Sequence, residues 1–171
     1  TKPAPAGFLL PATRRKKQAL VMDLSEVYEK AIRPAYAELP ASMRTREATA
    51  LLLTIGLQES AFRYRRQIKG PARGFWQFEF GGGFCGALHH QAAQRHALML
   101  GDSRGYACMT EPEQFEQLEY DDVFAAGIAR LLLWTDPHKL PARHDADGAF
   151  EYYLRTWRPG AYTRGKPEAR A

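Results

Sequence analysis

The sequence predicts a mainly α protein with one domain, and three observations carry that expectation. Apolar residues recur at steps of three and four, the period of a helix packed on a core, as in Ala48, Leu52 and Ile55. No convincing alternation marks a long strand, apart from a short element over Gly74 to Phe80. At 171 residues, 45% hydrophobic and 25% charged, the chain is long enough for one true core and too short to expect two. No internal repeat, heptad seam or linker divides it. Residues 1–20 are expected to form a flexible basic arm and residues 21–171 the folded domain.

Taken in order, the first helix is expected from Met22 to Leu39, with Asp23 as a cap and Pro34 as a kink or split. The second runs from Thr45 to Ala61, with Thr45 placed to cap it. Gly81-Gly82-Gly83 opens a flexible turn, after which a helix from Ala87 to Leu100 is ended by Gly101. Gly101 to Pro112 reads as a loop. Another helix spans Tyr120 to Thr135, apolar at Val123, Phe124, Gly127, Ile128, Leu131 and Leu132, and Asp136-Pro137 stops it. Asp145 or Asp147 caps a last helix reaching Trp157, and Pro159-Gly160 breaks it.

The most informative residue lies on the second helix. Glu59 extends the stripe of Ala48, Leu52 and Ile55, so a lone carboxyl ends an apolar helix face. Desolvation there disfavours the charged carboxylate and keeps a proton available near neutral pH for a leaving group. A solvated Glu at a helix end is the plainer reading of the same spacing. Gly70-Pro71-Ala72-Arg73-Gly74-Phe75-Trp76-Gln77 follows as a glycine-hinged loop that presents amide and aromatic groups.

Glu59-Ser60-Ala61-Phe62, with Gln77 ending that loop 18 positions after Glu59, resembles the soluble lytic transglycosylases and goose-type lysozymes. Asp122-Val123-Phe124-Ala125-Ala126-Gly127-Ile128-Ala129-Arg130-Leu131-Leu132 is similar to a later helix of that family, with Asp in place of its Asn and Arg in place of its Tyr. Trp157-Arg158-Pro159-Gly160 keeps the aromatic and the Gly of its last element but not the Asn. Pro71 replaces the first loop glycine, one position after Gly70. The resemblance spans roughly residues 44–160 in the correct order. Phe75 to Gly83 also resembles lysozyme-like proteins encoded by bacteriophages.

The resemblance implies a lysozyme-like domain, its helices around a cleft, cleaving the MurNAc–GlcNAc β-1,4 bond of peptidoglycan. Glu59 would be the general acid and base, supported by Ser60. Gly74, Phe75, Trp76, Gln77, Glu79, Tyr153 and Trp157 would hold the saccharide, with Tyr153 orienting Glu59 and Trp157 offering a flat face to a sugar ring. At helical spacing, Tyr153 and Trp157 read equally as a core pair. The family's transglycosylases use one Glu while the muramoyl C6 hydroxyl attacks intramolecularly, giving a 1,6-anhydro product. Inverting hydrolysis would need a second carboxylate, for which Glu79, Asp121 and Asp122 are the candidates.

A net charge of +5 favours an anionic partner, and cell-wall polymer and nucleic acid both qualify. Arg14-Arg15-Lys16-Lys17 is a solvated arm or a binding patch. Arg63, Arg65, Arg66 and Lys69 either meet the carboxylates of peptide stems or keep the cleft rim soluble. A basic, non-enzymatic virion or nucleic-acid-binding module on the same scaffold is the alternative. The primary expectation is a monomer bound to glycan strands, with no stable nucleic-acid partner.

Cys85 and Cys108 can pair or remain free thiols. Cys85, His89, His90, His96 and Cys108 cluster in sequence, yet no Cys-x-x-Cys or His-Glu-x-x-His spacing occurs, so no metal and no cofactor is expected. No apolar run is long enough for a membrane helix, and Gly7 to Ala12 is too brief for a signal h-region. The expectation is synthesis in a bacterial cytoplasm and arrival at the wall through lysis or virion delivery.

Overall fold

A computed structural model describes residues 22–158, which form a mainly α domain. The expected basic arm and the Pro159-Gly160 stop lie outside the described residues. Asp23 caps α1 (Leu24–Val27) by accepting from the Glu26 amide. Helix α2 (Arg33–Glu38) continues from it through a π-helical turn, Tyr28–Ile32. The expected Pro34 kink thus takes the form of a widened turn: Pro34 has no N–H to donate, and the Arg33 amide reaches back to the Tyr28 carbonyl.

Thr45 caps α3 (Arg46–Ser60) through the Ala48 amide, at 3.0 Å. The stripe read from sequence is the buried face of this helix, with Ala48, Leu52 and Ile55 essentially inaccessible. Beyond α3 the chain doubles back in a tight arch. Arg73 and Phe78 exchange backbone hydrogen bonds of 2.9 and 2.8 Å. The strand expected over Gly74 to Phe80 is therefore only a pair of isolated bridges, Arg66 to Arg73 and Arg73 to Phe78. Gly74 at φ 73° and Gln77 at φ 49° turn the chain too sharply for an extended run.

The triple glycine forms a π-helical turn, Phe80–Phe84, with Gly82 outside helical geometry, and leads into α4 (Cys85–His89). The single helix expected from Ala87 to Leu100 is in fact two. His90 turns extended at ψ 130°, and α5 (Gln94–Ser103) starts afresh. Gly101 does not end α5 but is buried inside it, because packing against the central helix outweighs glycine's propensity cost of about 1 kcal/mol. The expected loop up to Pro112 stops at Thr110, where a capping box with Glu113 opens α6 (Glu111–Gln117). Thr-x-x-Glu at 110–113 was the legible signal for that helix.

At the centre is α7 (Asp122–Thr135), capped by Asp121 and buried on every side from Phe124 to Leu133. The π-helical turn at Tyr28–Ile32 and helices α2 to α5 all pack on it. Gly127 allows the closest approach, since a Cβ there would stand 2.4 Å from Leu100 Cδ2. Arg130 is 1% exposed. Its Nε donates to the Met43 carbonyl at 2.8 Å and its guanidinium lies over Trp134. Asp145 caps α8 (Ala146–Trp157) through the Gly148 amide. No described helix is long and apolar enough to cross a membrane.

Candidate active site

Helix α8 is pinned along its length. The Tyr152 hydroxyl donates to the Leu133 carbonyl at 2.8 Å, and Arg155 Nε donates to Asp136 at 2.5 Å, which together dock α8 on the C-terminal end of α7. One turn along, Trp157 Nε1 donates to the Trp76 carbonyl at 3.0 Å. Fixed in this way, Tyr153 reaches Glu59: its hydroxyl donates to Oε1 at 2.6 Å across 94 positions of chain.

Glu59 sits in the last turn of α3, half-buried, at the wall of an open cleft of about 1320 Å³. Burial pushes its carboxyl above the ordinary value of 4.5, the Tyr153 bond pulls it part of the way back, and the nearby Glu79 charge pushes it up again. Burial and the bond to Glu59 raise the Tyr153 phenol well out of the working range, so it stays a donor. With Oε1 occupied by that donor, Oε2 is the oxygen left to carry a proton.

The backbone around Glu59 is held in uncommon conformations. Ala61 and Phe62 are both left-handed, at φ 50° and 52°, as is Gln77. Phe62 is kept there by full burial, by edge contacts with Phe75 and Trp76, and by its amide donating to Ser60 Oγ at 3.1 Å.

Several residues expected to touch a saccharide are placed elsewhere. Phe75 and Trp76 are 0% exposed. They belong to the core because the sharp arch turns both side chains inward, and Trp76 Nε1 donates to the Leu52 carbonyl at 2.9 Å. Gly74 is buried between the end of α6 and α7, where a Cβ would meet the Leu118 carbonyl at 3.0 Å and Ala125 Cβ at 3.3 Å, so its role is close packing rather than ligand contact. Ser60 does not bond Glu59. It is buried and donates to the Phe75 carbonyl at 2.7 Å, tying the end of α3 to the arch.

Gln77, Glu79 and Trp157 do line the cleft with Glu59. Gln77 Nε2 donates to the Gly74 carbonyl at 2.8 Å and to the Tyr64 carbonyl at 3.3 Å, and its carboxamide oxygen accepts no hydrogen bond among the described residues. Trp157 packs on Phe78, with centroids 5.7 Å apart. Tyr153 stands behind Glu59 rather than on the cleft surface, at 8% exposure.

Of the other candidate carboxylates, Asp121 caps α7 and also accepts from Arg104 and Tyr106, at 2.8 Å each. Asp122 takes a bidentate pair from Arg65 at 2.7 Å. Neither lines the cleft. Asp136 does, and sequence reading missed it because Asp-Pro signalled only a helix stop. Burial pushes its carboxyl up, but Arg155 and the His138 amide and ring outweigh that and hold it below its ordinary value.

The basic stretch after α3 is partly structural. Arg65 is neutralised by Asp122 and stacks over Phe75 at 4.1 Å, while Arg63 forms no ion pair among the described residues. Arg65→Gln is accordingly expected to lower the melting temperature by several degrees through the unpaired Asp122, a cost of about 2 kcal/mol. Arg63→Gln should move it by less than about one degree. Thermal unfolding by circular dichroism checks this, and equal shifts would contradict it.

Cys85 and Cys108 are free thiols, the former on the cleft and the latter exposed. His89 and His90 also line the cleft, and His96 lies on a separate helix. No family model, curated protein or solved structure matches the chain.

Proposed function

We propose that the protein is a peptidoglycan glycosidase of the lytic-transglycosylase kind, with Glu59 as its acid and base. The observation that carries this reading is the pairing of Glu59 with Tyr153 at the wall of an open cleft of about 1320 Å³. A half-buried carboxyl with a raised pKa and one oxygen already hydrogen-bonded is an acid positioned to donate from the other. Its proton passes to the glycosidic oxygen as the MurNAc C1–O bond breaks. The carboxylate that results is stabilised by the Tyr153 hydroxyl, and it then takes a proton from the muramoyl C6 hydroxyl as that oxygen closes on C1. The acid is regenerated and a 1,6-anhydro end is released. Gln77 and Trp157 line the same cleft and are the residues assigned to hold the saccharide.

Glu79 favours a second outcome. Its charge acts on Glu59 within the cleft, and a carboxylate there can activate water for inverting hydrolysis. The order of the family-like motifs and the single Glu–Tyr pair support the transglycosylase outcome over it.

Clearing of purified cell walls by the full chain tests the reading. Solubilised muropeptides are expected. No clearing, together with retention on DNA that weakens steeply with salt, would support the non-enzymatic alternative.

Tyr153→Phe gives a sharper check on the acid. Removing the phenol takes away a bond that lowers the Glu59 pKa, so the descending alkaline limb of the kcat/KM profile should move to higher pH. The maximal rate should fall roughly tenfold as the carboxylate loses its donor. An unchanged limb would detach Tyr153 from the acid.

A further inference from the structure

Cys85 and His89 line the same cleft, meet Glu111 beside it, and have no part in the chemistry at Glu59. Cys85 and His89 stand one turn apart on α4, a spacing that puts both on one helix face. Glu111 comes from the start of α6, 22 positions after His89, and accepts from or donates to His89 Nε2 through Oε1 at 2.7 Å. One donor atom from each of Cys85, His89 and Glu111 lies within 4.8 Å of the other two.

The backbone beneath them is fixed. Phe115 of α6 packs edge-on against Phe80 and Phe84 of the π-helical turn that feeds α4, at 5.5 and 5.4 Å between centroids. These aromatic contacts, with Phe84 and Phe115 buried, hold the start of α6 beside α4 in addition to the bond between Glu111 and the imidazole. Tetrahedral zinc with sulfur at about 2.3 Å and nitrogen or oxygen at about 2.0–2.2 Å would place its donors about 3.3–3.6 Å apart. Reaching that arrangement needs rotamer shifts of about 1 Å, with the His89–Glu111 contact opening slightly. All three side chains are at least partly exposed, so they have room to make that shift.

We propose that Cys85 Sγ, His89 and Glu111 form a binding site for a divalent transition-metal ion, zinc by the mix of thiolate, imidazole and carboxylate. Three protein ligands leave a fourth position, which water fills. The ion clamps α4 to α6 beside the cleft. This reverses the expectation of no metal drawn from the sequence, where the third ligand was hidden because it is distant in the chain and is neither Cys nor His. His90, His96 and Cys108 take no part. His90 Nδ1 accepts from the Ala92 amide at 3.2 Å, and the other two lie outside the group.

The site is independent of the glycosidase reading, and its test does not use activity. Cobalt(II) added to chelator-treated full-length protein should give a thiolate-to-cobalt charge-transfer absorption with one ion per chain. Zinc, titrated against a chromogenic chelator, should displace it. Cys85→Ser should abolish the charge-transfer band, and His89→Ala and Glu111→Gln should each weaken zinc binding by more than about tenfold. Cys108→Ser, His90→Ala and Glu59→Gln should leave band and affinity unchanged, so that failure here and failure of the glycosidase reading are read separately. Absence of the band in the wild type, its survival in Cys85→Ser, or its loss in Cys108→Ser would each overturn the site.

Discussion

Glu59→Gln is expected to lower the rate of wall cleavage by at least about 100-fold, the scale of a lost general acid, without loosening the fold. Gln keeps the shape of the side chain and still accepts from the Tyr153 hydroxyl. Stability should move the other way. Below the ordinary carboxyl value of 4.5, folded and unfolded chains both carry the Glu59 proton. As pH rises above it, the unfolded chain loses that proton while the folded chain, with its raised pKa, still holds it. The folded state then binds more protons, and stability falls as pH rises through this window. Gln has no such dependence, so the variant should unfold at the wild-type temperature in acid and at a higher temperature near neutral pH. Activity above a tenth of wild type would remove Glu59 from the chemistry.

Trp76→Ala is expected to destabilise the protein by about 3–5 kcal/mol, because it empties the space of a fully buried aromatic and removes its buried hydrogen bond to the Leu52 carbonyl. Phe62 and Phe75 meet the same indole edge-on, so the cavity would open among side chains that hold the end of α3 and the arch together. Trp76→Phe keeps most of the volume and loses mainly the indole bond. It should lower the denaturation midpoint while retaining cleavage per folded molecule. Urea unfolding followed beside wall clearing distinguishes the two roles. Full stability with lost cleavage would return Trp76 to the cleft surface.

Sequence located the helix that carries Glu59 because Ala48, Leu52, Ile55 and Glu59 share a period, and period survives folding wherever one helix face is buried. The cap residues Asp23 and Thr45 were legible for the same local reason, and the last cap was narrowed to Asp145 or Asp147, of which Asp145 serves. What failed was orientation within a tight turn. Phe75 and Trp76 were expected at a cleft, but the left-handed residues Gly74 and Gln77 roll the arch so that both rings face the core. Gln77 and Glu79, after the turn, face the cleft instead. The break at His90 was missed because glycine at 101 is the stronger local signal, although burial of Gly101 overrides it. Asp136 and Glu111 gained their settings from Arg155, His138, Cys85 and His89, contacts that no spacing rule joins.

Mass analysis of purified peptidoglycan digested by the full chain tests the central claim most directly. The expected result is soluble muropeptides ending in 1,6-anhydro-MurNAc, each lighter by one water than its reducing-end counterpart, from wild type but not from Glu59→Gln. Intact walls after digestion with folded wild-type protein, or the same muropeptides at the same rate from Glu59→Gln, would contradict it.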